Sequence, residues 1–104
     1  MFFTITVLRT SAVIRLCVFG DLDLGTAGQL DRAINEALRA EPVSVLVDLA
    51  ATTFCDCAAV TVLLAGQRNA GAHAVDYQVI NPTGISLRVL QLLDLHEQLT
   101  TRSG

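Results

Sequence analysis

The stretch VSVLVDLAATTFCDCAAVTVLLAGQ, residues 43–67, constrains the fold more than any other part of the chain. Its apolar, β-branched beginning over residues 43–49 predicts a buried strand, and a short polar loop is expected to follow. Asp56 then precedes a nearly all-apolar segment, where its carboxylate can accept hydrogen bonds from the free N–H groups of a first helical turn. The stretch therefore predicts a strand–helix junction at the edge of an α/β sheet where ligands and partners usually bind.

The residues at the start of the chain predict an antiparallel hairpin. Apolar residues alternate with threonines over residues 3–7, which is the period of a half-buried strand. A turn at residues 9–11 leads to a second strand at 12–19 that ends at Gly20. So short a connection makes these two strands antiparallel neighbours.

The next segment predicts an amphipathic helix. Thr26 and Gln29 have the spacing of a capping box, and the helix reaches about Ala40 before Pro42 prevents its continuation. Four apolar residues recur on one helical face and are expected in the core: Leu30, Ile34, Ala37 and Leu38.

Alternating strands and helices complete the chain. We expect a helix at 57–69 with Gly71 as its C′ residue, a strand at 76–80 and a short last helix at 94–99. A further helix follows Asn81, has Pro82 in its first turn and buries three leucines: Leu87, Leu90 and Leu93. These units predict a four-stranded mixed sheet, antiparallel between the first two strands and parallel elsewhere, with helices packed mainly on one face.

Composition indicates a single domain over residues 1–104. The net charge is −3 and the seven arginines are scattered, so nucleic-acid binding is not expected. No apolar run approaches the ~20 residues of a membrane helix, and no basic segment precedes the apolar N-terminus, so we expect a cytoplasmic protein without membrane insertion.

Candidate chemical groups are few. Asp21 and Asp23 could form an acid/base or metal pair, but aspartates also suit the turn between a strand and a helix, which is the preferred interpretation. His73 and His96 lack metal-ligand spacing and are expected at the surface. Cysteines at 17, 55 and 57 lack Cys-x-x-Cys spacing, so zinc is not expected. No residue is assigned to catalysis, to a metal or to a cofactor, and we expect a protein that is not an enzyme.

Four motifs in order resemble the STAS domain family, the anti-sigma factor antagonists of bacteria. They are Gly-Asp-Leu-Asp at 20–23, Val-Asp-Leu at 47–49, Phe-Cys-Asp-Cys-Ala-Ala-Val at 54–60 and Val-Ile-Asn-Pro at 79–82. The family pattern at the third motif is Phe-x-Asp-Ser-Ser-Gly-Leu, and its second serine is phosphorylated. Ala58 occupies that position here, so the resemblance also implies that the phospho-acceptor is missing.

The resemblance implies a protein–protein interaction domain that regulates transcription by binding an ATP-binding, kinase-type anti-sigma factor, as a monomer or weak homodimer. The implied contact residues lie in the Gly-Asp-Leu-Asp turn and at the start of the second helix: Asp21, Asp23, Thr53, Asp56, Cys57, Ala58, Ala59 and Thr61. Two alternatives remain open. One is an accessory STAS subunit of a transporter complex, and the other is a thiol-based redox sensor.

The redox alternative would use Cys55 and Cys57. A helix N-terminus favours the thiolate of Cys57, whereas the neighbouring Asp56 opposes it. A disulfide between residues two apart would require a bent backbone and would be easily reduced. The simpler interpretation is that Cys57 replaces a family serine, that Cys55 fills a pocket beside Phe54, and that Cys17 is a small core residue.

Overall fold

A computed structural model describes residues 2–102, so Met1, Ser103 and Gly104 of the expected 1–104 domain lie outside the described residues. After an initial hairpin, helices and strands alternate, and two helices follow the last strand, so the expected α/β architecture is confirmed. Their bounds are β1 (Phe3–Thr10), β2 (Val13–Leu22), α1 (Ala27–Arg39), β3 (Ser44–Cys55), α2 (Cys57–Ala72), β4 (Asp76–Ile80), α3 (Gly84–Leu92) and α4 (His96–Thr100).

The four strands form one sheet in the order β1-β2-β3-β4. β1 pairs antiparallel with β2, while β2–β3 and β3–β4 are parallel, as the sequence predicted. β1 is longer than expected, because the turn consists of Ser11 and Ala12 alone, with Ser11 in the left-handed region at φ 41°. A helix follows each of β2 and β3 and returns the chain to the next parallel strand.

One face of the sheet carries the core. Ile14, Leu16 and Val18 of β2 are buried beside Val45, Val47 and Leu49 of β3, and the four predicted core residues of α1 pack against them. α2 lies on the same face, where the hydroxyl of Tyr77 in β4 donates to the backbone carbonyl of Leu63 in α2 over 2.9 Å. A Cβ at Gly66 would lie 2.8 Å from that hydroxyl oxygen, so glycine permits this close approach.

β2 and β3 extend further than the sequence predicted. Gly20 does not end β2, and residues 50–55 form strand rather than a polar loop. The two strands keep pairing by shifting register between Cys17 and Phe19 and again between Gly20 and Asp21. Gly20 makes this continuation possible, because its φ is +100° and a Cβ there would lie 2.2 Å from the backbone oxygen of Phe2.

Several helix ends also differ from the predictions. α2 continues to Ala72, and the left-handed residue that ends it is Ala74 at φ 56° rather than Gly71. The N–H of Val75 then bonds to the Ala70 carbonyl over 2.9 Å, which satisfies a free carbonyl of the last turn. The prediction of Gly71 as the C′ residue was wrong, because Gly71 lies within the helix. The helix end is stabilised instead by the backbone bond and the burial of Val75.

The last two helices are shorter than expected. α3 begins at Gly84 after Thr83, so Pro82 precedes the helix instead of lying in its first turn. Leu90 is buried as predicted, but Leu87 is half-buried and Leu93 is 44% exposed. α4 spans His96–Thr100 and lies beside α2, where the Gln67 amide donates to the Gln98 carbonyl over 2.9 Å.

The other face of the sheet holds a buried charge. Asp48 of β3 is 5% exposed and its carboxylate contacts the guanidinium of Arg15, with Arg15 Nε 3.0 Å from Oδ2. It also accepts from the N–H of Ala50 at 2.9 Å and from the amide of Asn81 at 3.2 Å. Cys17 is half-buried on this face, so it is not the core residue that was predicted.

Candidate functional site

The carboxyl ends of β2 and β3 meet at one edge of the sheet. Asp21 pairs with Phe54 and Leu22 with Cys55, so the Gly-Asp-Leu-Asp segment lies beside the segment that leads into α2. The backbone N–H of Asp56 donates to the carbonyl of Leu22 over 3.3 Å and continues this contact past the strand ends. Two motifs more than thirty residues apart therefore form one surface, as expected for a parallel sheet.

Asp56 caps α2 as predicted and also fixes the neighbouring turn. It has extended backbone angles, and its Oδ1 accepts from the N–H of Ala59 over 3.1 Å. Its Oδ2 accepts from the N–H of Leu24 over 3.1 Å. One carboxylate therefore satisfies a free N–H at the start of α2 and holds the β2–α1 turn against it.

Asp21 is bonded across the two strands. The hydroxyl of Thr53 donates to Asp21 Oδ1 over 2.6 Å. Asp21 is half-buried and Thr53 is exposed, so this pair lies at the rim of the sheet edge. The family resemblance implied both residues in one contact surface, but the bond between them depends on the longer β3, where the sequence predicts a loop.

Asp23 is a turn residue, in agreement with the preferred interpretation. Its Oδ1 accepts from the N–H of Gly25 over 2.9 Å and from the N–H of Thr26 over 3.2 Å. The predicted capping box between Thr26 and Gln29 is absent. The Thr26 hydroxyl instead donates to the carbonyl of Asp21 over 2.7 Å and accepts from the N–H of Asp23, so the turn uses the group that would have capped α1.

The first turn of α2 exposes part of the expected contact surface. Cys57 and Thr61 are exposed, and Ala58 is half-buried. The Thr61 hydroxyl donates to the carbonyl of Cys57 over 3.0 Å, within the helix. Ala59 is fully buried, so its side chain offers nothing to a partner even though the resemblance implied it as a contact residue.

Two exposed apolar side chains flank this polar surface. Leu24 is 80% exposed and Phe54 is 43% exposed. Leu24 lies in the turn that Asp56 holds, and Phe54 follows Thr53 at the end of β3. Neither residue is among the predicted contacts, although a leucine between Asp23 and Gly25 in a polar turn is a usable signal in the sequence. Both side chains add apolar area beside the ordered polar groups of this edge.

The two cysteines of the site differ in environment. Cys55 is 2% exposed, and burial, with a smaller effect from the charge of Asp56 and from Cys57, raises the pKa of its thiol to about 11. Cys57 is exposed at the helix start, and the three cysteines are free thiols. Burial and the raised pKa of Cys55 both work against a reactive pair.

The placement of the potential metal ligands and the lengths of the helices bear on metal binding and membrane insertion. Within residues 2–102 there is no group of three or more histidine, cysteine, aspartate and glutamate side chains that could hold a metal ion. His73 is exposed at the end of α2 and His96 is half-buried at the start of α4. Over the same part of the chain, no helix has the length and apolar character needed to cross a bilayer.

Comparisons with known proteins agree with this geometry. The family model described as Mlab, STAS domain, matches residues 5–101. RsfB, an anti-sigma-F factor antagonist of Mycobacterium tuberculosis, is 29% identical over 92 residues, which cover 88% of this chain and 75% of RsfB.

Solved structures share the fold. An anti-sigma factor antagonist from Mycobacterium paratuberculosis superposes with a TM-score of 0.84 at 23% identity, covering 94% of this chain and 83% of that one. The anti-sigma factor antagonist SpoIIAA in its unphosphorylated form gives a TM-score of 0.77 at 20% identity, covering 94% and 86%. At these identities the likeness establishes the architecture alone.

Proposed function

Because this chain belongs to the STAS domain family, we propose that it is an anti-sigma factor antagonist that binds a kinase-type, ATP-binding anti-sigma factor. The observation that carries this proposal is the Asp56 carboxylate, which joins the start of α2 to the β2–α1 turn in one ordered surface. Binding of the anti-sigma factor releases its sigma factor and so permits transcription.

The proposed contact surface has a polar centre and apolar flanks. The Asp21–Thr53 pair and the exposed first turn of α2 form the centre, while Leu24 and Phe54 supply apolar area. Because Asp23, Asp56 and Thr26 are already bonded within the domain, little side-chain ordering is needed on binding. Ala59 is left out of this surface because it is buried.

The proposal includes the loss of the phosphorylation switch. Ala58 has no hydroxyl, and the two nearest exposed threonines use theirs within the domain, Thr53 toward Asp21 and Thr61 toward Cys57. A phosphate at a helix start would be compatible with the helix dipole, so the family switch acts at the interface and not by unfolding. Without an acceptor, this protein stays in its binding-competent form.

A displacement experiment tests the proposal. The purified chain is added to preformed complexes of sigma factors with the kinase-type anti-sigma factors encoded in the same genome, and the products are separated by size exclusion. We expect the chain to co-elute with one anti-sigma factor and to release its sigma factor, without prior treatment with a phosphatase.

Two other results would contradict the proposal. The first is that the chain associates with none of these anti-sigma factors and that a transporter ATPase co-purifies with it from the native host. This result would favour the accessory-subunit alternative. Binding that appears or disappears only on mild oxidation, and that no longer responds after Cys55 and Cys57 are both replaced by serine, would favour the redox sensor.

A further inference from the structure

The two edges of the sheet are protected to different degrees. β4, at one edge, has five residues and is covered by the segment after α3. The side-chain amide of Gln78 in β4 donates to the Thr100 carbonyl over 2.7 Å, and the Asp76 carboxylate accepts from Arg102 Nε over 2.8 Å. β1, at the other edge, has eight residues, and β2 is its main contact. Val7 and Leu8 in its second half are 55% and 47% exposed.

β1 also lacks the residues that usually prevent edge pairing. The strand FTITVLRT contains no lysine, proline or acidic residue, and its one charge, Arg9, lies near its end. Its other residues are threonine, valine, isoleucine, leucine and phenylalanine, which favour extended structure. A long, nearly uncharged edge with unpaired backbone groups is a template for another strand.

A groove runs along this edge between β1 and α1. It consists of two adjoining cavities of about 220 and 340 Å³, with Ile5 and Val7 on its floor. Arg32 and Glu36 of α1 line its outer side, both exposed, and neither makes an ion pair within the described part of the chain. The groove is therefore apolar below, carries one charge of each sign along α1, and has the further positive charge of Arg9 at one end.

The arrangement of those charges indicates which occupant fits. The floor residue Ile5 lies near Gln29 and Arg32, whereas Arg9 lies near Ala37 and Ala40, so α1 and β1 run in the same direction. The central residue Val7 is level with the stretch between Arg32 and Glu36. A twofold axis through this point, perpendicular to the sheet, would place Arg32 of one copy opposite Glu36 of the second copy, and the reverse.

We propose that two copies of this chain associate through antiparallel pairing of their β1 strands about a twofold axis near Val7. The two sheets become continuous, and both α1 helices lie on the same side of the joined sheet. Given the strand spacing, the two helix axes would be about 14 to 19 Å apart, a gap that extended arginine and glutamate side chains can bridge. The interface is self-complementary, as a twofold dimer requires.

This pairing leaves the proposed docking surface free. Asp56 and the start of α2 lie at the carboxyl ends of β2 and β3, whereas the paired edge involves β1 and the outer side of α1. The inference therefore does not depend on the proposed function, and either can fail without the other. A dimer of this form would present two docking surfaces in one particle.

Sedimentation velocity over micromolar to millimolar concentrations tests the proposal. We expect reversible monomer–dimer association of the wild-type chain. Val7→Lys places a charge on the apolar floor and should abolish the dimer, while Leu92→Lys, a matched change at a leucine 75% exposed on α3, should leave it intact. Circular dichroism and the melting temperature establish that each variant is folded.

Charge reversal tests the geometry. Arg32→Glu alone and Glu36→Arg alone should each weaken association roughly tenfold, since each creates two like-charge contacts, and the double variant should recover it. A wild-type chain that stays monomeric at millimolar concentration would overturn the proposal. A dimer that persists in the Val7→Lys variant would also overturn it, as would a double variant that associates no more tightly than the single variants. So would hydrogen exchange in which the β1 amides are protected only after another protein is added.

Discussion

The Asp56 carboxylate accepts one hydrogen bond from the N–H of Ala59 and one from the N–H of Leu24, each over 3.1 Å. Because Ala59 belongs to α2 and Leu24 to the β2–α1 turn, one side chain sets the relative position of the two segments that form the docking surface. The same group therefore contributes to stability and to the shape that a partner would meet.

The first prediction concerns this cap. Asp56→Ala should lower the free energy of unfolding by about 1–2 kcal/mol, because it removes the N-cap bond and a second bond to the turn. Urea unfolding monitored by circular dichroism provides the measurement. Asp31→Ala, which removes a half-buried aspartate bonded within α1 only to Asn35, should change stability by less than about 0.5 kcal/mol. Equal losses in the two variants would contradict the role of Asp56.

The second prediction concerns the pH dependence of stability. Burial alone would raise the pKa of Asp48, but bonds from the Ala50 N–H, Arg15 and Asn81, together with the charge of Arg15, outweigh it, and the pKa lies below its usual value. A group whose pKa is lowered on folding stabilises the fold above its unfolded pKa of about 4 and loses this contribution as pH falls through the folded value.

Asp48→Asn isolates this effect from that of the other carboxylates. The stability advantage of the wild type over the variant should be largest near neutral pH and should shrink below about pH 4. Urea unfolding of both proteins across that range gives the difference directly. A difference that stays constant, or that grows with acidification, would show that the Asp48 carboxylate is not stabilised by its three donors.

The sequence predicted the order of the elements because that order depends on strong local patterns. The apolar period of α1 and the valine-rich start of β3 are such patterns, and both were confirmed. The longer β2 and β3 could not be predicted in the same way. Residues 50–53 resemble a loop locally, and their pairing with β2 depends on two register shifts that only the assembled sheet reveals.

Side-chain partners in the site were less predictable than the site itself. The family resemblance implied that Asp21, Asp56 and the start of α2 share one contact surface, whereas the capping-box spacing assigned the Thr26 hydroxyl to a helix cap that does not form. A hydroxyl at a turn can bond to several nearby backbone groups, and the turn geometry decides among them. The Arg15–Asp48–Asn81 cluster was missed because its members are more than thirty residues apart in sequence.

The third prediction concerns the thiols. Iodoacetamide at mildly alkaline pH should alkylate the exposed Cys57 well before the buried Cys55, whose thiol has a pKa of about 11 and is shielded from solvent. Peptide mass mapping of time points, with a urea-unfolded sample as the reference in which every cysteine reacts, gives the order. Equal rates for Cys55 and Cys57 in the folded protein would contradict the burial of Cys55 and revive the redox alternative.

The fourth prediction concerns the missing acceptor. Incubation of the wild-type chain with a partner kinase-type anti-sigma factor and ATP should add no phosphate, whereas Ala58→Ser should become phosphorylated. Ala58 is half-buried in the first turn of α2, so a serine fits there without disturbing the core. Intact-mass measurement distinguishes the two proteins. A stoichiometric phosphate on any wild-type residue from 52 to 61 would contradict the loss of the switch.

The most direct test of the account is the affinity of Ala58→Glu for the anti-sigma factor identified by displacement, measured by titration calorimetry. A carboxylate in the first helical turn stabilises a helix by about 0.3–1 kcal/mol, so the fold should persist, and the melting temperature checks this. Burying that charge in an interface costs on the order of several kcal/mol, so binding should weaken at least about tenfold. Ala72→Glu, the same change at the exposed end of α2, should retain wild-type affinity. Unchanged affinity of a folded Ala58→Glu variant would contradict docking at the start of α2.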